Sequence, residues 1–366
     1  MTILIHIGPP KSGTSAIQKW LLSHVEMLRK FGIYYPEHPI DPNGVSSGNV
    51  LSIFTRSNEG KLEYSETKKE KLLLDFHKSG CSTLLLSSEF FFLHPEILAD
   101  AFPSAKFIAY LRYPVEVIES SYNQGVKRHG EVKKLGVPVK PKSFQLKTLE
   151  RKIKKIGKER FILRPYNDAC YTNGTLLGDF SDILKLPVSE FPIDSHHVRV
   201  NTSYSIDALE FKRWFNQFPL GELQGALDRF LQSYSAGKEA YSLIPVKVFE
   251  LYKEEYLNTL KDFCQKYDVY NSDLFIEKCN HLEQKKFRKQ QLSDNDFKSL
   301  LNDFLQSADS FQILIYYKMV NEWSSNGQLK APERIKILKR SIPIKIKLKQ
   351  WLKKNITNGK RTLGLN

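Results

Sequence analysis

Four short runs of the chain are almost continuously apolar: ILIHI at 3–7, STLLLSS at 82–88, KFIAYLR at 106–112 and RFILRPY at 160–166. Runs of that length without polar alternation suit strands covered on both faces, as in a parallel sheet. Between them the spacing predicts helices over 14–30, 66–79, 95–101, 114–128 and 174–185. Strands alternating with helices predict an α/β domain over 1–204, built on a doubly wound parallel sheet.

From residue 205 the pattern changes. SIDALEFKRWFNQF, GELQGALDRFLQSY and the segments after them carry apolar residues at threes and fours, and strand candidates are lacking. A helical region, either a lid or a subdomain, is expected over 205–325. SSNGQLKAPE at 324–333 leads into a basic tail, expected over 326–366.

The net charge of +15 is unevenly spread. Eleven Lys or Arg and no acid lie between Arg334 and Arg361, which leaves only +4 for the rest of the chain. In that tail Ile and Leu interleave with Lys, and Trp351 adds an interfacial ring. Such a basic amphipathic segment reads as a membrane-surface anchor, each basic residue contributing about 1 kcal/mol at an anionic leaflet. A solubilising tail and a nucleic-acid arm are the competing readings, and the interleaved apolar residues favour the membrane over nucleic acid.

Cys81, Cys170, Cys264 and Cys279 form no CxxC pair and no metal-like spacing, so neither a disulfide scaffold nor a metal is expected. MTILIHIGPP lacks the charged and apolar regions of a signal peptide, and no run of 18 apolar residues occurs. The expectation is a cytoplasmic protein, peripheral on the inner face of a membrane.

The first apolar run leads into HIGPPKSGTSAIQKW, a glycine-containing turn and then a helical pattern. A strand, a tight turn and a helix N-terminus form an anion site, because unpaired N–H groups and the helix dipole point at the ligand. Gly8 and Gly13 permit close backbone approach, Thr14 and Ser15 supply hydroxyls, and Lys11 adds a mobile charge. The ATP and GTP version of this loop places Lys after the second glycine. Here Lys11 precedes Gly13, so the loop is P-loop-like without being that motif.

PKSGTS, residues 10–15, resembles the phosphosulfate-binding loop of sulfotransferases that use 3′-phosphoadenosine 5′-phosphosulfate (PAPS), whose usual form is PKxGTT. That family holds the cofactor's 3′-phosphate with Arg-x-Pro and a Ser eight residues after the Arg. YLRYPVEVIESSYNQ supplies Arg112, Pro114 and Ser120 at that spacing. The resemblance runs over residues 3–205 and includes RFILRPYNDACYTNGTLLGDFSDILKLP and RVNTSYS, which begins at Arg199. It implies cofactor binding by Pro10, Lys11, Ser12, Gly13, Thr14, Ser15, Arg112, Ser120 and Arg199, with PAPS as the cofactor and no metal.

Sulfuryl transfer needs positioning, charge neutralisation and a base for the acceptor. Lys11 is the candidate for stabilising the leaving phosphate. Glu89, in LLLSSEFFF at the end of a predicted strand, is the candidate base. Carbohydrate sulfotransferases with a glutamate base carry it as EK[ST], whereas this chain reads SSEFFF. The competing reading of Glu89 is a helix N-cap or a structural ion pair. His6 reads as a core residue, and His129, His196 and His197 as loop residues.

Lys127, Arg128 and His129 open a second basic stretch, which suits an anionic carbohydrate acceptor or else a solvated loop. The polar NGVSSGN at 43–49 is a further candidate for the acceptor cleft. The resemblance thus implies transfer of a sulfuryl group to a hydroxyl or amine of a carbohydrate, a polysaccharide or glycolipid. The alternatives are a nucleotide-dependent kinase and a non-catalytic basic protein that binds membrane or nucleic acid.

Overall fold

A computed structural model describes residues 1–40, 46–138, 141, 145–187, 204–234, 239–324, 327–349 and 352. The strands are β1 (Thr2–Gly8), β2 (Ile33–Tyr34), β3 (Phe54–Arg56), β4 (Leu62–Tyr64), β5 (Thr83–Ser87), β6 (Lys106–Leu111), β7 (Phe161–Pro165), β8 (Tyr241–Ser242) and β9 (Lys286–Phe287). The helices of the first half are α1 (Thr14–Ser23), α2 (Val25–Lys30), α3 (Glu66–Lys78), α4 (Pro95–Ala101), α5 (Pro114–Arg128), α6 (Gln145–Ile156) and α7 (Leu176–Ile183). Those of the second half are α8 (Ile206–Phe215), α9 (Leu223–Ser233), α10 (Val246–Lys266), α11 (Ser272–Asn280), α12 (Asp294–Ser307), α13 (Ser310–Trp323) and α14 (Arg334–Ser341).

By packing the chain forms two compact units. One comprises Met1–Ile118, Val137–Asn201 and Val246–Gln284, and the other Glu119–Gly136, Thr202–Pro245 and Lys285–Asn366. The helical segment expected after residue 205 is therefore shared, with α10 and α11 belonging to the first unit.

The first unit is built on a five-stranded sheet in the order β2-β5-β1-β6-β7. Every neighbouring pair in it is parallel. The four long apolar runs become four of these strands because both faces of each are covered. Leu4, Leu85, Ile108 and Tyr110 pack with Ile17, Trp20 and Leu21 of α1 and with Leu176, Leu177 and Phe180 of α7. The alternate residues Ile3, Ile5, Leu84, Leu86, Phe107 and Ala109 are buried as well. Helices flank this sheet, so the expected α/β class is present. β3 and β4 form a separate antiparallel hairpin.

Strand order reverses at β1. The chain passes from β1 to β2 and β5 on one side, then crosses to β6 and β7 on the other. In open α/β sheets the crevice at the carboxyl ends of strands flanking such a reversal is where ligands bind.

The second unit is a helical bundle. Phe211, Trp214 and Phe215 of α8 pack on Phe297 of α12, with ring centroids 4.9, 5.0 and 5.9 Å from it. The helix starts are set locally: Ser293 caps α12, and Asp309 with Gln312 forms a capping box on α13. Strands were not expected here, yet β8 and β9 pair in parallel over two residues each. Two residues are too few for a periodic signal.

Candidate active site at the sheet's carboxyl edge

The segment Gly8–Ser15 joins β1 to α1, and its backbone turns through three left-handed residues. Gly8, Lys11 and Gly13 have φ of 88°, 73° and 79°. The carbonyls of this loop are engaged by its own neighbours. Ser12 donates from both its amide, at 3.3 Å, and its hydroxyl, at 2.5 Å, to the Pro9 carbonyl. Gln145 Nε2 donates to the Pro10 carbonyl at 2.8 Å, and Arg112 Nη1 to the Lys11 carbonyl at 2.9 Å. Loops with left-handed residues and their carbonyls turned away form concavities that attract anions.

Helix α1 begins at this loop with Gly13 as its N-cap. No side chain caps it and no acid occupies its first turn. Its positive dipole end is therefore not neutralised from within the helix. The Thr14 hydroxyl oxygen is buried and has no hydrogen-bond partner among the described residues. Orphaned buried hydroxyls are uncommon in native proteins, and this one stands in the first turn of α1.

Gly13 is fixed by close approach as well as by its dihedral angle. A β-carbon there would lie 2.3 Å from Leu176 Cδ2 and 2.8 Å from Tyr166 Cε2. Tyr166, just past β7, also receives the Arg112 guanidinium over its ring at 5.1 Å. Burial pushes the Tyr166 phenol above its ordinary pKa, so the ring faces Arg112 in its neutral form. Arg112 follows β6 directly, and β6 is a neighbour of β1 in the sheet. The loop at residues 10–15 and Arg112 are thus joined at adjacent strand ends.

Glu89 comes from the other neighbour of β1. It opens the 3₁₀ turn Glu89–Leu93 after β5, and its Cα is 3.7 Å from where a Gly8 β-carbon would stand. The N-cap of that turn is Ser88, whose hydroxyl accepts from the Phe90 amide at 3.2 Å. Glu89 itself is half-buried at the rim of the loop.

The end of β5 is held by the segment 46–49. Asn49 Oδ1 accepts from the Ser87 amide at 2.8 Å, and the Asn49 amide donates to the Ser87 carbonyl at 3.1 Å. The Ser88 hydroxyl donates to the Ser47 carbonyl at 2.7 Å. The polar stretch expected near an acceptor therefore has its latter half beside Glu89, while 43–45 lie outside the described residues.

His6 is fully buried in β1, its Nδ1 2.8 Å from the Ser87 hydroxyl. Its ring packs edge-on against Tyr110 and Phe180, and burial lowers its pKa to about 3. It is a neutral core histidine.

Ser120 lies in α5, the helix that starts two residues after Arg112. By packing it belongs to the second unit, because the division falls between Ile118 and Glu119. Within that unit the residues expected to meet an acceptor have different fates. Lys127 is buried, with its ammonium 4.7 Å over the Tyr204 ring, and burial lowers its pKa. Arg128 lies 3.8 Å from the buried Asp228. These two cations, expected to meet an acceptor, are engaged in the unit's own packing. His129 is exposed. Arg199, His196 and His197 lie outside the described residues.

Sequence reading missed Gln145 and Tyr166. Leu146, Leu149 and Ile153 are buried on α6, and their three- and four-residue spacing was the available signal for the helix that delivers Gln145. Among the described residues no group of His, Cys, Asp and Glu is arranged to hold a metal, and no helix is long and apolar enough to cross a membrane. Compared with models of protein families and with curated protein sequences, the chain matches none.

Proposed function

We propose that the chain is a sulfotransferase that moves a sulfuryl group from 3′-phosphoadenosine 5′-phosphosulfate to a hydroxyl or amine of a carbohydrate. The observation that carries this reading is the Arg112–Lys11 link, which brings PKSGTS and the Arg-x-Pro motif together at the carboxyl ends of adjacent strands. The uncapped start of α1 and the unpartnered Thr14 hydroxyl fit a phosphosulfate held by residues 10–15. Arg112 is the clamp for the 3′-phosphate.

When bound, the cofactor supplies an activated sulfuryl group. The chain's own work is then electrostatic. Lys11 offsets the charge that grows on the bridging oxygen as the sulfate departs, which is the kind of preorganised stabilisation that lowers a barrier most. Glu89 takes the proton from the acceptor. Its position at the rim of the loop, beside the segment 46–49, supports an acceptor entering there. The four cysteines are unpaired, which suits a reducing compartment, and we place the enzyme in the cytoplasm.

Calorimetric titration with adenosine 3′,5′-bisphosphate and with ATP tests the binding reading, and transfer of radiolabelled sulfate from PAPS to a panel of glycans tests the activity. Saturable binding of the bisphosphate with no comparable binding of ATP is expected. Equal affinity for ATP would instead support a kinase, and no binding of either would remove the nucleotide from the account.

A further inference from the structure

The described part of the tail is built into the second unit. Ile335 and Leu338 of α14 and the following Ile342 are buried in its core. Tyr316 donates to the Leu338 carbonyl at 3.0 Å, and Arg334 reaches Asp294 at 3.0 Å and the Leu292 carbonyl at 2.6 Å. After Pro343 the chain is helical again over 344–349, and Leu352 is helical too. Ile346 of this last helix packs against the same core, which fixes the side that faces inward.

The other side is apolar and open. Ile344 is 72% exposed, Leu348 55% and Leu352 52%. A spacing of four residues places Ile344 and Leu348 on one helix face. Exposed cations flank them along the chain: Lys336, Lys339, Arg340, Lys345, Lys347 and Lys349, with Glu333 the one acid over 333–349. An apolar stripe costs free energy in water unless something covers it.

We propose that this helix docks the protein on an anionic lipid bilayer. Ile344 and Leu348 enter the headgroup boundary while the flanking lysines meet the phosphates. A bilayer offers both halves of that complement, apolar depth and negative charge, which is the pairing that interfacial helices use. A nucleic acid would match the lysines and leave the stripe in water. The attachment is independent of the proposed chemistry, since none of these residues takes part in it.

Co-sedimentation of the full chain with vesicles tests this, using phosphatidylcholine alone and with about 30% phosphatidylglycerol. Binding to the anionic vesicles is expected, at least about tenfold tighter than to the neutral ones and weakened by salt. The double variant Ile344→Asp, Leu348→Asp is expected to lose about tenfold or more of that binding with its melting temperature unchanged, since both side chains are more than half exposed. Lys345→Gln with Lys349→Gln is expected to lose several-fold and to flatten the salt dependence. Undiminished binding by the aspartate variant would overturn the proposal, as would failure of the native chain to bind anionic vesicles. Preferential binding of an RNA duplex at equal phosphate concentration would overturn it in favour of a nucleic-acid arm.

Discussion

Arg112 Nη1 donates to the Lys11 carbonyl across 2.9 Å, so one guanidinium fixes the backbone of the loop it also faces. The same group lies over the Tyr166 ring. Its fork geometry allows one nitrogen to hold the loop while others remain directed elsewhere.

Replacing that fork tests both roles. Arg112→Lys keeps the charge but not the planar array of donors. Affinity for adenosine 3′,5′-bisphosphate is expected to fall about 10- to 100-fold, as for loss of a charged hydrogen bond of about 1.5–3 kcal/mol. Calorimetric titration reads the change, and unaltered affinity would remove Arg112 from the cofactor site.

Glu89→Gln preserves shape and removes the proposed proton acceptor. Sulfuryl transfer is expected to slow by about 10²- to 10⁴-fold while bisphosphate binding stays within twofold or so. A full transfer rate in this variant would show that the base lies elsewhere.

Gly48 should tolerate no side chain. Its φ is +68°, and a β-carbon would stand 1.9 Å from the Ser87 carbonyl oxygen, a backbone atom with nowhere to go. Gly48→Ala is expected to cost about 2–4 kcal/mol in urea denaturation, combining left-handed strain with a clash at the end of β5. A loss under about 0.5 kcal/mol would mean that the segment 46–49 can detach from β5 without consequence.

His6 makes stability depend on acidity. Burial holds its folded pKa at about 3, below the ordinary 6.5. The unfolded chain therefore gains a proton below about pH 6.5 that the folded chain refuses until about pH 3. Its contribution to stability is complete above that window and falls by about 1.4 kcal/mol per pH unit inside it. Denaturant unfolding at pH 7, 6 and 5 should show this slope, and His6→Asn should reduce it. An unchanged slope in the variant would assign the dependence to other groups.

The sheet was legible because ILIHI, STLLLSS, KFIAYLR and RFILRPY must be buried on both faces, and four strands formed at those positions. β2 was not, since Ile33 and Tyr34 carry no periodic pattern and gain their place only by pairing with β5. The junctions at Lys11 and Arg112 could be read because strand ends and helix starts are local features. What could not be read was how a charge would be used. Lys127 looks solvated in the sequence and is buried over Tyr204, because burial depends on residues more than seventy positions away. Asn49 gripping both sides of Ser87 is likewise a long-range fact with no local sign.

Lys11 at φ 73° sets stability against use. A side chain with a β-carbon is disfavoured there by about 1 kcal/mol, and glycine would relieve it. A library of variants ranked by thermal survival should therefore favour Lys11→Gly, while one ranked by sulfate transfer should discard it. On the proposed role, folding and chemistry make opposite demands on this one position: the backbone asks for glycine and the transfer for an ammonium group.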